Sequence, residues 1–175
     1  ARAIQALVGP LRRALEADGT LDAYERIDVP LVAVLAIIER TGAAIDTDRL
    51  EALGRETGAS VDELRARIIE LAGEDFNVDS PKQLGHILFE VIGLTPRKKN
   101  QRGYSTDASV LKELAKEHEL PGLVLRYREL AKIKSTYIDA LPRLRGADGR
   151  VHTTFNETVT TTGRLSSSDP NLQNI

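Results

Sequence analysis

The apolar pattern over residues 47–73 constrains the fold of this 175-residue chain more than any other feature. A stripe with a period near 3.5 residues occupies one helix face and usually packs along an antiparallel partner helix. Gly54 and Gly58 lie inside the segment and weaken it, so a bend or break is possible there. The pattern predicts one long helix of roughly 40 Å. Its repeating side chains are Leu50, Leu53, Val61, Leu64, Ile68 and Leu71.

Further helices are predicted from apolar spacing and from residues that begin or end helices. They cover residues 1–17, 28–41 with Asp28 as N-cap, 81–92 opened by Ser80-Pro81, a short segment ending near His118, and 121–141. Asp148-Gly149 is a strong hairpin-turn signal, and the Thr-rich stretch 151–162 has β propensity. The expected fold is mainly α: a long antiparallel helical hairpin with short tip helices, plus a small β element at the C-terminal end.

Charge is distributed unevenly along the chain. The formal net charge of −2 argues against a nucleic-acid binder, whose domains are usually basic. However, residues 1–96 carry 10 Lys+Arg and 17 Asp+Glu, a net of −7, whereas residues 97–175 carry 14 and 9, a net of +5. Such asymmetry indicates an anionic partner.

Several protein classes are excluded by what the sequence lacks. It has no Cys for disulfides or thiolate zinc sites, and its three His show no metal-ligand spacing. It has no apolar run long enough for a transmembrane helix and no basic-then-apolar N-terminal signal, so no membrane association and an intracellular location are expected. Conventional catalytic motifs are also missing, and no catalytic residue is predicted within the chain.

Cations and a hydroxyl recur on one side of the predicted helix 121–141. At 100° per residue, Arg128, Lys132, Ser135 and Asp139 share a stripe, and Lys134 lies off it. The stripe is either an ordinary solvated face or a surface that follows a phosphate backbone.

A second candidate site combines a basic loop with two helix starts. The loop Arg97–Arg102 has four cations in six residues, and it is either a solubilising loop or an anion contact. Ser105 and Thr106 precede one helix, and Asn77 and Ser80 precede another. These side chains either cap the helices or bind phosphate oxygens there.

The most specific segment is the last one, residues 162–175. Arg164 stands beside Asn171, Gln173 and Asn174, whose donors suit acceptors in a DNA minor groove. On chemistry alone, a plain polar loop is the alternative.

The same segment, T-G-R-L-S-S-S-D-P-N-L-Q-N-I, resembles the signature of the family A DNA polymerases, the family of bacterial DNA polymerase I. The stretch Y-R-E-L-A-K-I-K-S-T-Y at 127–137 resembles the motif on that family's thumb helix. D-F-N-V-D-S at 75–80, with Gln83-Leu84 and 87–89, and R-V-H-T at 150–153 are similar to further family motifs in the same order.

The resemblance implies a division of the chain and a set of DNA contacts. Residues 1–27 would end an exonuclease-like domain, 28–41 would form a palm-base helix, 42–147 the thumb, and 148–175 the start of the palm. The thumb would hold primer–template DNA through phosphate and minor-groove contacts. The implied DNA-binding residues are Asn77, Ser80, Ser105 and Thr106 on the primer strand, Arg128, Lys132, Lys134 and Ser135 on template phosphates, Arg164 at the primer terminus, and Asn171, Gln173 and Asn174 on the template strand or terminal pairs.

The resemblance also places the chemistry elsewhere. The palm carboxylates that hold Mg²⁺, and the fingers that bind deoxynucleoside triphosphates, would follow Ile175, so Mg²⁺ and nucleotide belong to the parent enzyme and the fragment is expected to be inactive. The parent would be a bacterial, cytoplasmic, nucleoid-associated DNA polymerase I acting in replication and repair. Asp79 departs from the family pattern and is expected to cap a helix. The alternatives are a stand-alone helical DNA-binding module or a protein-interaction scaffold.

Overall fold

A computed structural model describes residues 2–97, 99–100 and 103–174, the side chains of Lys99, Asn100 and Gly103 excepted. Of the predicted basic loop and the C-terminal motif, Lys98, Gln101, Arg102 and Ile175 lie outside the described residues. The described part is mainly α-helical, as predicted. Among its helices, none is long and apolar enough to cross a membrane.

Four of the described helices have 13 or more residues, and the other elements are short. The helices are α1 (Arg2–Ala17), α2 (Leu21–Ala23), α3 (Val29–Thr41), α4 (Thr47–Ala72), α5 (Pro81–His86), α6 (Ala108–Leu114) and α7 (Glu119–Ile133), with π-helical turns at Tyr24–Asp28, Ile87–Val91 and Lys134–Ile138 and a 3₁₀ turn at Leu141–Leu144. The strands are β1 (Ala43–Ala44), β2 (Lys99–Asn100), β3 (Gly103–Tyr104), β4 (Arg150–Val151), β5 (Thr154–Asn156) and β6 (Ser166–Ser168), which pair antiparallel as β1–β4, β2–β3 and β5–β6. The chain forms two compact units, one of residues 46–143 and one of the segments on either side.

The unit of residues 46–143 is built on α4 and α7, which form the predicted antiparallel hairpin. Near the end of α4, Arg67 pairs with Glu119 at the start of α7, with 3.4 Å between nitrogen and oxygen. Near the start of α4, Gly54 instead faces Ile138, which follows α7. The predicted long helix is continuous through Gly54 and Gly58, and the alternative of a break there does not occur.

Local capping explains the bounds of α4. The side chain of Asp46 accepts a hydrogen bond from the backbone N–H of Arg49 at 2.9 Å, which satisfies one of the free donors of the first turn. Gly73 ends the helix with a φ of +76°, a left-handed conformation that glycine adopts without steric cost. Both ends agree with the prediction.

The core of this unit lies between the hairpin and the two tip helices, α5 and α6. Leucine, isoleucine and valine side chains from all four helices and the adjoining π turn are fully buried there, and this anchors the tip on the hairpin. They are Ile68, Leu84, Ile87, Leu88, Leu111, Leu114, Leu120 and Val124.

The second long helix differs from its prediction at both ends. It begins at Glu119, before Pro121, because the ring of His118 accepts a hydrogen bond from Leu120 N at 3.1 Å and caps it. Its α-helical part ends at Ile133, and the chain continues as the π-helical turn Lys134–Ile138. Because a π turn has a longer repeat than an α turn, side chains after Ile133 leave the predicted stripe.

The other unit contains α1–α3 and the β strands at 43–44 and beyond 149. The predicted N-cap at Asp28 is wrong: its backbone is helical, with φ −67° and ψ −46°, and its side chain makes no capping bond. The helix there runs on from α2 through a π turn.

On α3 only Leu35 is buried, whereas Val32, Val34 and Ile37 are exposed. Large apolar surfaces of this kind are typical of contact surfaces.

The β element also differs in its pairing. The predicted turn at Asp148-Gly149 is present, with Gly149 at φ +80° and the N–H of Gly146 donating to the carbonyl of Arg150 at 2.7 Å. The turn does not join two paired strands, because β4 pairs with the remote β1, Val151 opposite Ala43. The prediction of a hairpin was therefore wrong, although the turn was right.

Candidate nucleic-acid interface

An open groove of about 1420 Å³ lies at the tip of the unit formed by residues 46–143. Its lining includes Ser80, Thr106 and Arg128, three predicted DNA-binding residues from three separate parts of the chain. The fold therefore brings together the start of α5, the segment before α6 and the middle of α7.

The start of α5 is organised by reciprocal hydrogen bonds. Ser80 Oγ accepts from the backbone N–H of Gln83 at 3.4 Å, and Gln83 Oε1 accepts from the N–H of Asn77 at 2.6 Å. Asn77 Oδ1 in turn accepts from Asp79 N at 3.0 Å. Within the described part of the chain, the amide nitrogen of Asn77 has no partner, and the Ser80 hydroxyl keeps its proton to donate. Both side chains thus cap or brace the turn and retain a donor for an anion.

Ser105 and Thr106 are much less accessible than the sequence suggests. Ser105 is 0% exposed and Thr106 is 5% exposed. Ser105 Oγ accepts from Asp107 N at 3.2 Å, and the Thr106 carbonyl accepts from Arg128 Nη1 at 2.7 Å. The segment before α6 therefore positions the half-buried guanidinium of Arg128 at the groove.

Carboxylates dominate the charged side chains of this groove. Arg128 and Lys82 are the permanently charged cations among the described residues that line it. The carboxylates of its lining are Glu74, Asp75, Asp79, Glu90 and Asp107. Because like charges repel, an anion would be held at Arg128 or Lys82 and not by the groove as a whole. Lys82 has no role in the sequence-based prediction, although it stands in the first turn of α5.

The expectation that Asp79 caps a helix was wrong, because Ser80 is the cap of α5. The carboxylate of Asp79 accepts a hydrogen bond from the Tyr127 hydroxyl at 3.0 Å and so ties the start of α5 to α7. The pKa of Tyr127 is raised, first by its burial and then by this bond, which favours the protonated hydroxyl.

The predicted cations on and after α7 have different surroundings. The Lys132 side chain is exposed and, in the described part of the chain, has no ion-pair or hydrogen-bond partner. Lys134 is partly buried, and its Nζ lies 2.8 Å from each carboxylate oxygen of Asp139. Ser135 donates its hydroxyl proton to the Lys132 carbonyl at 3.3 Å. In the basic loop, Arg97 pairs with Glu117.

The predicted residues of the C-terminal segment fall into two groups: side chains bonded within the chain and side chains that are not. Asn171 Oδ1 accepts from Ser167 Oγ at 3.2 Å and from Gln173 N at 3.0 Å, and Gln173 Nε2 donates to the Leu165 carbonyl at 3.0 Å. These side chains brace the loop that follows β6. The side chains of Arg164 and Asn174 are exposed and make no such bond to any described residue. They are the members of this group that are free to contact a ligand.

The described residues contain no group of three or more His, Asp or Glu side chains that could hold a metal ion. The carbonyl of Thr106 and the carboxylate of Asp139 could not be predicted from the sequence as partners of Arg128 and Lys134, since both contacts depend on backbone geometry.

A family model for "DNA polymerase family A" matches residues 47–175. The chain belongs to this family. It is 49% identical over 176 aligned residues to a DNA polymerase I of Bacillus subtilis, and 46% identical over 176 to one of Geobacillus stearothermophilus. Each alignment covers 100% of this chain and 20% of the relative, so the chain spans about a fifth of the length of these family A proteins.

A solved structure agrees with the same assignment. The chain superposes with a TM-score of 0.91 and 36% identity on a structure described as the POL domain of Pol1 from M. smegmatis in complex with DNA primer-template and dNTP. The match covers 100% of this chain and 31% of that one. The fold described above is thus found within a family A polymerase domain.

Proposed function

We propose that this chain is the thumb-containing part of a bacterial DNA polymerase I that adds deoxynucleotides to a primer 3′-OH under the direction of a template. Its own role is to hold the primer–template duplex. The observation that carries this is the meeting of Ser80, Thr106 and Arg128 at one groove in a family A chain. The palm-base helix, thumb and start of the palm correspond to residues 28–41, 42–147 and 148–175.

The proposed contacts follow from which donors are free. Lys132 and Arg128 bind template phosphates, and Asn77 and Ser80 donate to the primer backbone. Arg164 and Asn174 reach base edges in the minor groove near the primer terminus. Ser105, Thr106, Ser135, Asn171 and Gln173 contribute mainly by positioning these donors, because their side chains are buried or already bonded within the chain.

The chemical step is proposed to use groups outside this chain. Carboxylates elsewhere in the parent protein would hold Mg²⁺, which would supply activation of the primer hydroxyl and stabilisation of the leaving pyrophosphate. We expect the 175 residues alone not to extend a primer. Magnesium-dependent extension by the pure chain would contradict this.

The proposal is tested by the salt dependence of primer–template binding to the full-length protein. One phosphate contact contributes a slope of about −0.9, so it makes affinity fall by about 3.5-fold more between about 50 and about 200 mM salt. Lys132→Gln should remove that increment. Lys112→Gln, which removes another exposed lysine whose side chain has no partner among the described residues, is the matched control on α6 and should leave the slope unchanged. Binding that ignores salt would instead favour a protein-interaction scaffold.

Arg164 should behave differently from Lys132. Because its proposed place is the primer terminus, Arg164→Ala should slow nucleotide addition more than it weakens duplex affinity. Lys132→Gln should mainly weaken affinity. Equal losses of affinity with no separate effect on extension would refute this division of roles.

A further inference from the structure

The side chain of Lys134, one of the predicted DNA-binding residues, forms an ion pair with the side chain of Asp139. The Lys134 ammonium lies 2.8 Å from both oxygens of the Asp139 carboxylate. The two side chains are 28% and 37% exposed, so the pair is shielded more than an ordinary surface pair yet remains open to solvent. In this state the positive charge of Lys134 is neutralised within the chain.

The π-helical turn creates this pair. Lys134 and Asp139 are five residues apart, and the N–H of Asp139 donates to the Lys134 carbonyl at 2.9 Å, which is the hydrogen bond of a π turn. In an α-helix, side chains five apart would point about 140° away from each other. The departure from α geometry therefore turns the carboxylate towards the ammonium.

Two glycines of α4 make room for both side chains. A Cβ at Gly58 would lie 3.3 Å from Cε of Lys134, and one at Gly54 would lie 3.6 Å from Oδ1 of Asp139. A shallow pocket of about 390 Å³ borders the pair, and Arg55 and Arg143 also line it. Glu51 lines it too, so two further cations and one further carboxylate surround the Lys134–Asp139 pair.

We propose that Asp139 is a built-in competitor for DNA at Lys134. Its carboxylate holds the ammonium in the free protein and releases it to a template phosphate when the duplex binds. This rests on the proposed function, because it assumes that the end of α7 faces the phosphate backbone. A pair of this exposure is weak enough for a phosphate to displace, and the exchange lowers duplex affinity without removing the contact.

The test is a double-mutant cycle in the full-length protein, with binding to a primer–template duplex as the readout. Asp139→Asn keeps the shape of the side chain and removes its charge. It should tighten binding by about two- to fivefold, the range expected for a half-exposed ion pair. In a Lys134→Met background the same change should have little effect, because no ammonium is left to release.

Controls separate this idea from its rivals. Glu113→Gln removes one carboxylate from another Lys–carboxylate pair, Glu113 with Lys116 at 2.8 Å, and should leave duplex affinity unchanged. Tightening by Asp139→Asn that is equal in both backgrounds would show general repulsion of DNA and overturn the proposal. Unchanged or weaker binding would also overturn it and assign the pair a purely structural role.

Folding and the proposed function are checked independently. Thermal melting identifies a variant that fails to fold, and Asp139→Ser then replaces Asp139→Asn with the same expectation. If Lys132→Gln leaves the salt slope unchanged, the proposed DNA grip itself is wrong. If Lys132→Gln lowers the slope and Asp139→Asn does not tighten binding, only the competitor role is wrong.

Discussion

Replacing Gly54 and Gly58 by alanine should change stability in opposite directions, although both lie in the middle of α4. Alanine is favoured over glycine in a helix interior by about 1 kcal/mol. At Gly54 the new Cβ would lie 3.3 Å from Cγ2 of Ile138, a branched side chain that is only 5% exposed. Such overpacking costs about 1–3 kcal/mol, which exceeds the gain. Gly54→Ala should therefore lower the free energy of unfolding by about 1 kcal/mol.

At Gly58 the closest atom belongs to a flexible side chain. The new Cβ would lie 3.3 Å from Cε of Lys134, near the end of a long side chain that can retreat by a few tenths of an ångström. The helix gain should then prevail, and Gly58→Ala should raise the free energy of unfolding by about 0.5 kcal/mol. Because it moves Lys134, the same change should also weaken the ion pair with Asp139.

Gly122 provides the matched control for this pair. A Cβ there would lie 3.8 Å from Cβ of Ala115, an ordinary contact, so Gly122→Ala in the first turn of α7 should stabilise by about 0.4–1 kcal/mol with no steric cost. Thermal unfolding followed by circular dichroism at the helix band measures all three variants, with about 2–4 °C expected per kcal/mol for a chain of this size. If Gly54→Ala stabilises as much as Gly122→Ala, the reasoning from close approach is wrong.

Two further changes probe single contacts. Tyr127→Phe removes the hydrogen bond to the exposed carboxylate of Asp79 and should lower the free energy of unfolding by about 1 kcal/mol. A denaturant titration measures this change, and an unchanged free energy would show that water replaces the bond fully. The pKa of His152 is raised above 6.5, first by the Glu39 carbonyl at 2.7 Å from Nδ1 and then by Asp148 at 2.9 Å from Nε2. The stabilisation by the His152 imidazolium is therefore complete below about pH 6.5 and is lost as pH rises through the folded-state pKa. His152→Gln should remove this part of the pH dependence of the melting temperature.

The helix bounds that could be predicted are those set by neighbours in sequence. Asp46, Gly73 and Ser80 act on residues one turn away, so their effect is visible in the sequence itself. The seam of α4 was predictable for the same reason, because one period describes it throughout. Asp28 has the composition of a cap, but the helix from α2 reaches it and removes the free donors that a cap would satisfy.

The surroundings of the site residues could not be predicted from local pattern. Arg128 meets the carbonyl of Thr106, and Tyr127 meets Asp79, only because the core places α5 and α6 against α7. The stripe on α7 was predicted with 100° per residue throughout. After Ile133 the π turn changes the rotation per residue. Asp139 therefore lies beside Lys134 and not on the predicted stripe.

The number of predicted contact residues that are already bonded within the chain limits how strongly the proposed interface can bind DNA. Several predicted contacts already bind within the chain, and the groove carries carboxylates beside Arg128 and Lys82. Among the described residues predicted to bind DNA, Lys132 and Arg164 are the cations whose side chains have no partner. Since each phosphate contact adds one increment to the salt slope, the contact proposed for Lys132 accounts for a single increment.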